Sequence, residues 1–173
     1  PKLTVRDCLM RQIEGCEAFY RRHRLQASPT IAAGLAWLRA NVPQADEAPS
    51  IVHGDAGLNN MLMHEGKISV MVDWELVHPG DAGEDVSYTH DWVYRIMPFE
   101  EFLDYYHRCG GPRYHVEREK FYRMLADVRV GLYTVRIRDM LRKSDHPEIA
   151  LMYGAQHYYG YFIQNIAKNL LAT

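Results

Sequence analysis

The 173-residue sequence lacks any apolar run near the ~18 residues that a membrane-spanning helix needs, so no membrane partner is predicted. Its first residues, PKLTVRDCLMRQ, contain no apolar core of the kind found in secretory signals. Only three cysteines are present. Two of them, Cys8 and Cys16, fall on one predicted helix roughly 12 Å apart along its axis, which is beyond disulfide reach. We therefore predict a cytoplasmic protein with free thiols.

Positive charge is scarce in the middle of the chain. Residues 51–107 contain eleven Asp and Glu against two Lys and Arg, although the net charge of the whole chain is only −2. This imbalance excludes a nucleic-acid groove there, and the basic residues after position 107 follow helical spacing without an RNA- or DNA-binding motif. No nucleic-acid partner is predicted. The acidic stretch is typical either of a solvated surface or of a cation site.

Helical periodicity dominates on both sides of a short β-rich stretch. Ser50, Ile51 and Val52 predict a short strand, and MLM-HEGK-ISVMVDW predicts a β-hairpin with Gly66 in its turn. In the last helix, a stripe that includes Met152 and Ile166 is predicted to be core. Amphipathic helices are predicted for about 4–24 and 28–42, from Glu84, from Pro98, and over about 116–143 and 148–171.

The predicted fold class is mainly α with a small β-hairpin (α+β). We predict a single domain over residues 1–173. It comprises a helical segment, 1–50, then a segment that holds the hairpin and most of the polar motifs, 51–85, and then a helical subdomain, 86–173.

The polar motifs of the middle segment have the spacing of a phosphoryl-transfer site. His53-Gly54-Asp55 follows a short apolar strand, Asn60 comes five residues after Asp55, and Asp73 ends the second hairpin strand. Such a reaction needs a carboxylate that accepts the proton of the attacking hydroxyl, and oxygen ligands for Mg²⁺. The kinase pattern H-R-D-x-x-x-x-N followed by a metal-binding Asp has this spacing. We predict Asp55 as the catalytic base and Asn60 and Asp73 as metal and cofactor ligands; the alternative is turn and capping residues.

These motifs resemble the aminoglycoside phosphotransferase family, which shares its catalytic core with choline kinases and protein kinases. Members read H-G-D-x-x-x-x-N, then a hairpin, then I-D-[WFL]-E, then G-D-P-x-x-D-L; this chain has HGDAGLNN, VDWE and GDAGEDV. Ala82 replaces the family's proline and removes no ligand. The resemblance implies a transferase of the protein-kinase-like fold that uses Mg²⁺ and ATP (or GTP) to phosphorylate the hydroxyl of a small molecule. A cationic acceptor, such as an aminoglycoside or an amino alcohol, would suit the acidic segment.

The resemblance also implies supporting roles. His53 would brace the catalytic loop, and Asp85, which matches the last Asp of the G-D-P-x-x-D pattern, would brace the same loop without binding metal. Glu75 is left open between a contact to substrate or metal-bound water and simple exposure. The remaining histidines have no metal-ligand spacing.

A large departure from the family concerns its strand-rich N-terminal lobe. That lobe carries the loop that covers the phosphates and the lysine that holds them. Residues 1–50 predict two helices without a Gly-rich loop, and Lys2 is their only lysine. We therefore predict that the chain is the C-terminal lobe alone, inactive by itself. Its exposed apolar face would pack on the missing lobe or mediate self-association.

Three alternatives remain open from the sequence. The loop motifs do not separate an aminoglycoside phosphotransferase from a choline, homoserine or fructosamine kinase. A non-catalytic kinase-like binding domain is a second alternative, and intact Asp55, Asn60 and Asp73 argue against it. The third is an all-α interaction module with accidental motifs.

Overall fold

A computed structural model describes residues 2–24, 26–145 and 149–172. It is mainly helical with two small antiparallel sheets, which confirms the predicted fold class. The chain separates into two compact units, Pro1–Cys8 with Ala45–Tyr122 and Leu9–Gln44 with Arg123–Thr173. We call them the acidic unit and the basic unit, because their net charges are −8 and +6. The division of a single domain into three segments stays a prediction.

The acidic unit contains both sheets. The hairpin forms as predicted, and its turn residues Glu65 and Gly66 both have positive φ, the conformation that two-residue hairpin turns favour. A further strand pairs with the strand before the HGD motif and was not predicted, because three residues around Pro79 resemble a turn. An edge strand tolerates proline. The strands are β1 (Ser50–Val52), β2 (Met61–His64), β3 (Lys67–Met71) and β4 (His78–Gly80).

Two helices complete the acidic unit, α3 (Gly83–Val93) and α4 (Phe99–Arg108). The start of the chain also joins this unit: the backbone N–H of Val5 donates to the carbonyl of Glu47 at 2.9 Å. The loop that leads into β1 is thereby tied to the first turn of the first helix.

Within the described residues, the regular secondary structure of the basic unit is entirely helical. Ser28 caps the second helix through a bond from the Ile31 N–H to its hydroxyl at 3.5 Å, and Pro29 takes the first helical position. Its fully buried side chains include Leu9, Ile13, Ile31, Leu38, Met124, Leu125, Val128 and Ile166. The helices are α1 (Val5–His23) and α5 (Glu119–Lys143), which both begin in the acidic unit, and α2 (Pro29–Ala40), α6 (Ile149–Tyr153) and α7 (Tyr159–Leu171).

The predicted core stripe of the last helix is only partly buried. Ile166 is fully buried, but Met152 is 50% exposed, so its assignment to the core was wrong. A π-helical turn, Gly154–Tyr158, separates α6 from α7. The wider turn rotates the helix face, so a stripe extended backwards from α7 at 3.6 residues per turn does not stay on one side.

No helix within the described ranges is both long and apolar enough to cross a bilayer.

Candidate active site

His53 lies at the end of β1 and is almost completely buried, at 2% exposed. Its Nε2 lies 2.9 Å from the carbonyl oxygen of Val72, and its Nδ1 lies 3.2 Å from the backbone nitrogen of Asp55. A carbonyl only accepts and an amide only donates, so the proton is on Nε2 and Nδ1 is the acceptor. Trp74 packs against the imidazole at 4.5 Å between ring centroids. Both ring nitrogens are therefore engaged in holding the loop, which is the arrangement that the bracing role requires.

Asp55 and Asn60, predicted to share a site, are in direct contact. The Asn60 amide nitrogen donates to the Asp55 carboxylate Oδ2 and to the Asp55 carbonyl, both at 2.9 Å. These two hydrogen bonds to one residue orient the buried Asn60 amide. Its Oδ1 therefore points away from Asp55 and accepts from the Asn59 side chain at 2.9 Å. No described residue donates to the other Asp55 carboxylate oxygen.

The conformation of Gly54 explains why the loop carries glycine before Asp55. Its φ is +84°, in the region that residues with a Cβ rarely adopt. The turn lets the backbone N–H groups of His53 and Gly54 point the same way.

Asp73 follows directly after Val72, whose backbone N–H donates to the Asn60 carbonyl at 2.9 Å. The same Val72 accepts from His53, so the end of the hairpin is held against the catalytic loop from two sides. Asp73 itself adopts a left-handed conformation with φ of +65°, a strained state for a residue with a side chain that often marks a functional position. Its carboxylate is exposed and no described residue donates to it.

Asp85 holds the loop from the side of α3. Its two carboxylate oxygens accept from the backbone N–H groups of His53 at 2.7 Å and Gly54 at 2.9 Å. Burial raises the pKa of this carboxyl, and the two backbone bonds oppose that rise. These contacts tie α3 to the backbone of the HGD motif, and the bracing role of Asp85 stays a prediction.

Glu75 forms no hydrogen bond or ion pair with the other predicted site residues in the part of the chain that the structure describes. It lies in the 3₁₀ turn Trp74–Leu76, is exposed, and contacts no described side chain through a hydrogen bond or ion pair. Both predicted alternatives for Glu75, a contact to substrate or metal-bound water and simple exposure, are compatible with this position.

The donor set suits magnesium better than a transition metal. Among the described residues, no three His, Cys, Asp or Glu side chains are grouped to hold a metal ion. Magnesium in nucleotide sites is bound by one or two protein oxygens together with phosphates and water. Asp73 and Asn60 offer a carboxylate and an amide oxygen, which fits this pattern. The roles predicted for the site residues stay predictions.

The model of the Phosphotransferase enzyme family (APH) matches residues 8–122. The chain belongs to this family. Curated relatives include the Escherichia coli hygromycin-B 4-O-kinase, 29% identical over 91 residues, which covers 50% of this chain and 27% of that protein. The human acyl-CoA dehydrogenase family member 11 is 24% identical over 148 residues, covering 72% of this chain and 19% of that protein. This chain thus spans well under a third of these curated relatives.

Two solved structures share the fold. A protein assigned as an aminoglycoside phosphotransferase from Ralstonia eutropha JMP134 has a TM-score of 0.76 and 21% identity, over 96% of this chain and 56% of that one. A thermostable mutant of the aminoglycoside phosphotransferase APH(4)-Ia has a TM-score of 0.62 and 19% identity, over 98% of this chain and 53% of that one. The predicted resemblance to aminoglycoside phosphotransferases is confirmed.

In this member of the Phosphotransferase enzyme family, sequence reasoning missed a buried charge cluster beside the G-D-x-x-x-D motif. Asp81, the aspartate that follows Gly80 in this motif, accepts from the Gly83 N–H at 2.9 Å and also binds Arg118 and Tyr122. Arg118 also pairs with Glu47. No spacing rule links positions 47, 81 and 118, because the fold alone brings them together.

Proposed function

We propose that this chain is the catalytic C-terminal lobe of a phosphotransferase that transfers the γ-phosphoryl group of ATP or GTP to a hydroxyl of a small molecule. The proposal rests on two contacts of Asn60. Its amide binds the Asp55 carboxylate, and its carbonyl accepts from Val72, the residue before Asp73 at the end of the hairpin. A hydroxyl acceptor is further supported by the hygromycin-B 4-O-kinase relative.

Asp55 is the proposed base. Its Oδ2 is occupied by the Asn60 amide, so Oδ1 orients the acceptor hydroxyl and takes its proton as the phosphoryl group is transferred. Asp85 and His53 keep the loop in place, so that this carboxylate does not have to be reoriented for each turnover.

Asp73 and the Asn60 Oδ1 are the proposed magnesium ligands. The bound Mg²⁺–nucleotide would supply the phosphoryl group and offset its developing negative charge. The strained backbone of Asp73 presents its carboxylate at the end of β3, and Asn60 is held by its two bonds to Asp55. Asn60 is therefore oriented by this chain before the cation binds, whereas at Asp73 only the backbone direction is set.

The acceptor is proposed to be a cation or to carry one. The acidic unit, which contains every proposed site residue, has a net charge of −8. A positively charged aminoglycoside or amino alcohol would be attracted to this surface, with a strong dependence on ionic strength. A substrate screen with nucleotide consumption as the readout tests this proposal. It includes aminoglycosides and amino alcohols together with choline-, homoserine- and fructosamine-type acceptors.

We also propose that a strand-rich lobe, outside these 173 residues, packs on the hairpin. The outward side chains of β2 and β3 are apolar and exposed, including Leu62 at 53% and Val70 at 49%, which face each other across the hairpin. Contiguous exposed apolar surface of this kind marks an interaction site. Ile51, Met63 and Ile68 are exposed as well, at 77%, 61% and 57%.

Without that lobe we expect the chain to bind nucleotide weakly and to lack turnover. The nucleotide would have only one wall, and positioning can contribute roughly 7–11 kcal/mol to the rate. Calorimetry with Mg·ATP on the 173-residue chain tests this; micromolar affinity with turnover would contradict it. Sedimentation of the same chain, with Leu62→Ser/Val70→Ser as the comparison, shows whether the hairpin face self-associates instead.

Two substitutions in the protein that carries both lobes test the site. Asp55→Ala is expected to lower kcat by about two to four orders of magnitude with nucleotide affinity nearly unchanged, because Asp55 acts on the acceptor hydroxyl. Asp73→Ala is expected to abolish the magnesium-dependent part of nucleotide binding. Asp104→Ala, at an exposed acidic position of α4, is the control. Equal and mild effects of Asp55→Ala and Asp73→Ala would refute the assignment.

A further inference from the structure

A buried arginine lies at the centre of the charge cluster in the acidic unit. Arg118 is only 9% exposed, and its Nη1 donates to the carboxylate of Asp81 at 2.7 Å and to that of Glu47. Tyr122 donates its hydroxyl to the same Asp81 oxygen. Asp81 is 8% exposed, so its charge depends on these two partners rather than on water. Burial by itself lowers the pKa of Arg118, but the hydrogen bonds to Glu47 and Asp81 outweigh it and hold that pKa above its ordinary value.

The two carboxylates that bind Arg118 lie in the segments that lead into β1 and out of β4. Glu47 lies three residues before β1, and Asp81 follows directly after β4, whose residue Gly80 pairs with Ser50 at one end of the β1–β4 ladder. Arg118 therefore bridges the two chain segments just beyond that end. A ladder of three residues per strand is marginal by itself and depends on such tertiary support.

The opposite end of the same ladder leads into the catalytic loop. Val52 pairs with His78 there, and His53 is the next residue after Val52. A shift of β1 against β4 would move His53 and with it the backbone of Asp55.

A second connection runs through the start of α3. The Asp81 carboxylate accepts from the Gly83 N–H at 2.9 Å, and the Asp81 carbonyl accepts from the Glu84 N–H at 2.9 Å. Asp85 follows in the same turn and holds the loop through its two backbone bonds. A Cβ at Gly83 would lie 3.3 Å from the Tyr122 ring, so the absence of a side chain lets Tyr122 approach Asp81.

We propose that Arg118 is a positioning residue for the catalytic loop. Its guanidinium clamps Glu47 and Asp81 across the far end of the β1–β4 pair, and through that pair and through Asp85 it holds the loop from His53 to Asp55. The catalytic role of this loop rests on the function proposed above. The contacts that connect Arg118 to the loop are independent of that function.

Site-resolved hydrogen exchange of the backbone amides tests the link without an activity assay. In Arg118→Met, the amides of Gly83 and Glu84 and those of His53 and Gly54 are expected to exchange at least tenfold faster, because both sets lose their support. Tyr122→Phe removes only one bond to Asp81 and is expected to give the same pattern with a smaller change. It also covers the case in which Arg118→Met does not fold.

Two further variants separate a clamp from general destabilisation. Arg118→Lys keeps the charge and is expected to restore slow exchange in part. Asp81→Asn combined with Arg118→Met is expected to exchange more slowly at His53 than Arg118→Met alone, because the buried carboxylate is then no longer left without its cation. Arg39→Met is the control: Arg39 binds Glu17 through two bonds of 2.9 and 2.8 Å, but in the basic unit.

Three results would overturn the proposal. Faster exchange at Gly83 with unchanged exchange at His53 would show that the influence of Arg118 ends at the start of α3 and does not reach the loop. Acceleration of equal size in α2 would show a loss of overall stability. An additive double variant would show that Arg118 does not act through Asp81.

Kinetics of the two-lobed protein add a second readout. Arg118→Lys is expected to lower kcat severalfold with little change in the KM for nucleotide, because the clamp supports Asp55. If the unsubstituted protein transfers no phosphoryl group to any acceptor, the proposed function fails while the exchange result still decides the role of Arg118.

Discussion

Asp85→Asn probes how strongly one side chain holds the catalytic loop. Asparagine has nearly the same size but only one acceptor oxygen, so it keeps one of the bonds to His53 and Gly54 and turns its NH₂ group towards the other N–H. Losing a hydrogen bond to a charged group costs about 1.5–3 kcal/mol. The substitution also removes the free-energy cost of burying a charged carboxylate, the same burial that raises the pKa of Asp85. This offsets part of the loss. The expected net cost is therefore about 1.5 kcal/mol, at the low end of that range.

A local cost of this size corresponds to roughly tenfold faster amide exchange, because about 1.4 kcal/mol is a factor of ten. We expect it at His53 or Gly54, measured by hydrogen exchange with NMR detection, together with a severalfold lower kcat in the two-lobed protein. Asp104→Asn, at an exposed position of α4, is the matched control and should change neither. Unchanged exchange at both amides in Asp85→Asn would refute the brace.

Three other changes test the fold and its charges. Ile166→Ala removes a fully buried side chain and is expected to cost about 2–5 kcal/mol, with calorimetry showing a Tm lower by about 4–20 °C; a smaller shift would mean that the basic unit does not pack as described. Gly54→Ala places a Cβ at φ of +84° and should cost about 1–2 kcal/mol by denaturant unfolding, whereas a neutral effect would contradict that backbone. Bonds from Lys143 and then His23 lower the pKa of Asp139, so its stabilisation is present above the ordinary Asp pKa and is lost as the pH falls through the lowered value. Asp139→Asn should therefore flatten the acid limb of a stability–pH curve, and an unchanged limb would contradict this assignment.

Much of the site was predictable because its residues are close in the sequence. The spacing from His53 to Asp55 and Asn60 is set within a single loop, and the hairpin that returns Asp73 is encoded by its turn residues and apolar strands. Local spacing was enough to place Asp55 beside Asn60, and their side chains are in contact. Helical periodicity likewise predicted helices at the places of α1, α2 and α5.

Tertiary structure decided the features that join distant parts of the chain. β4 exists because β1 pairs with it, although its own three residues favour a turn. Arg118 is one of many arginines in the sequence, and only the fold places it between Glu47 and Asp81. The exposure of Met152 follows from a π-helical turn that no local periodicity encodes. Short-range spacing therefore determined which residues form the loop, while the long-range contacts that hold it depend on burial and pairing between segments, which a single sequence does not specify.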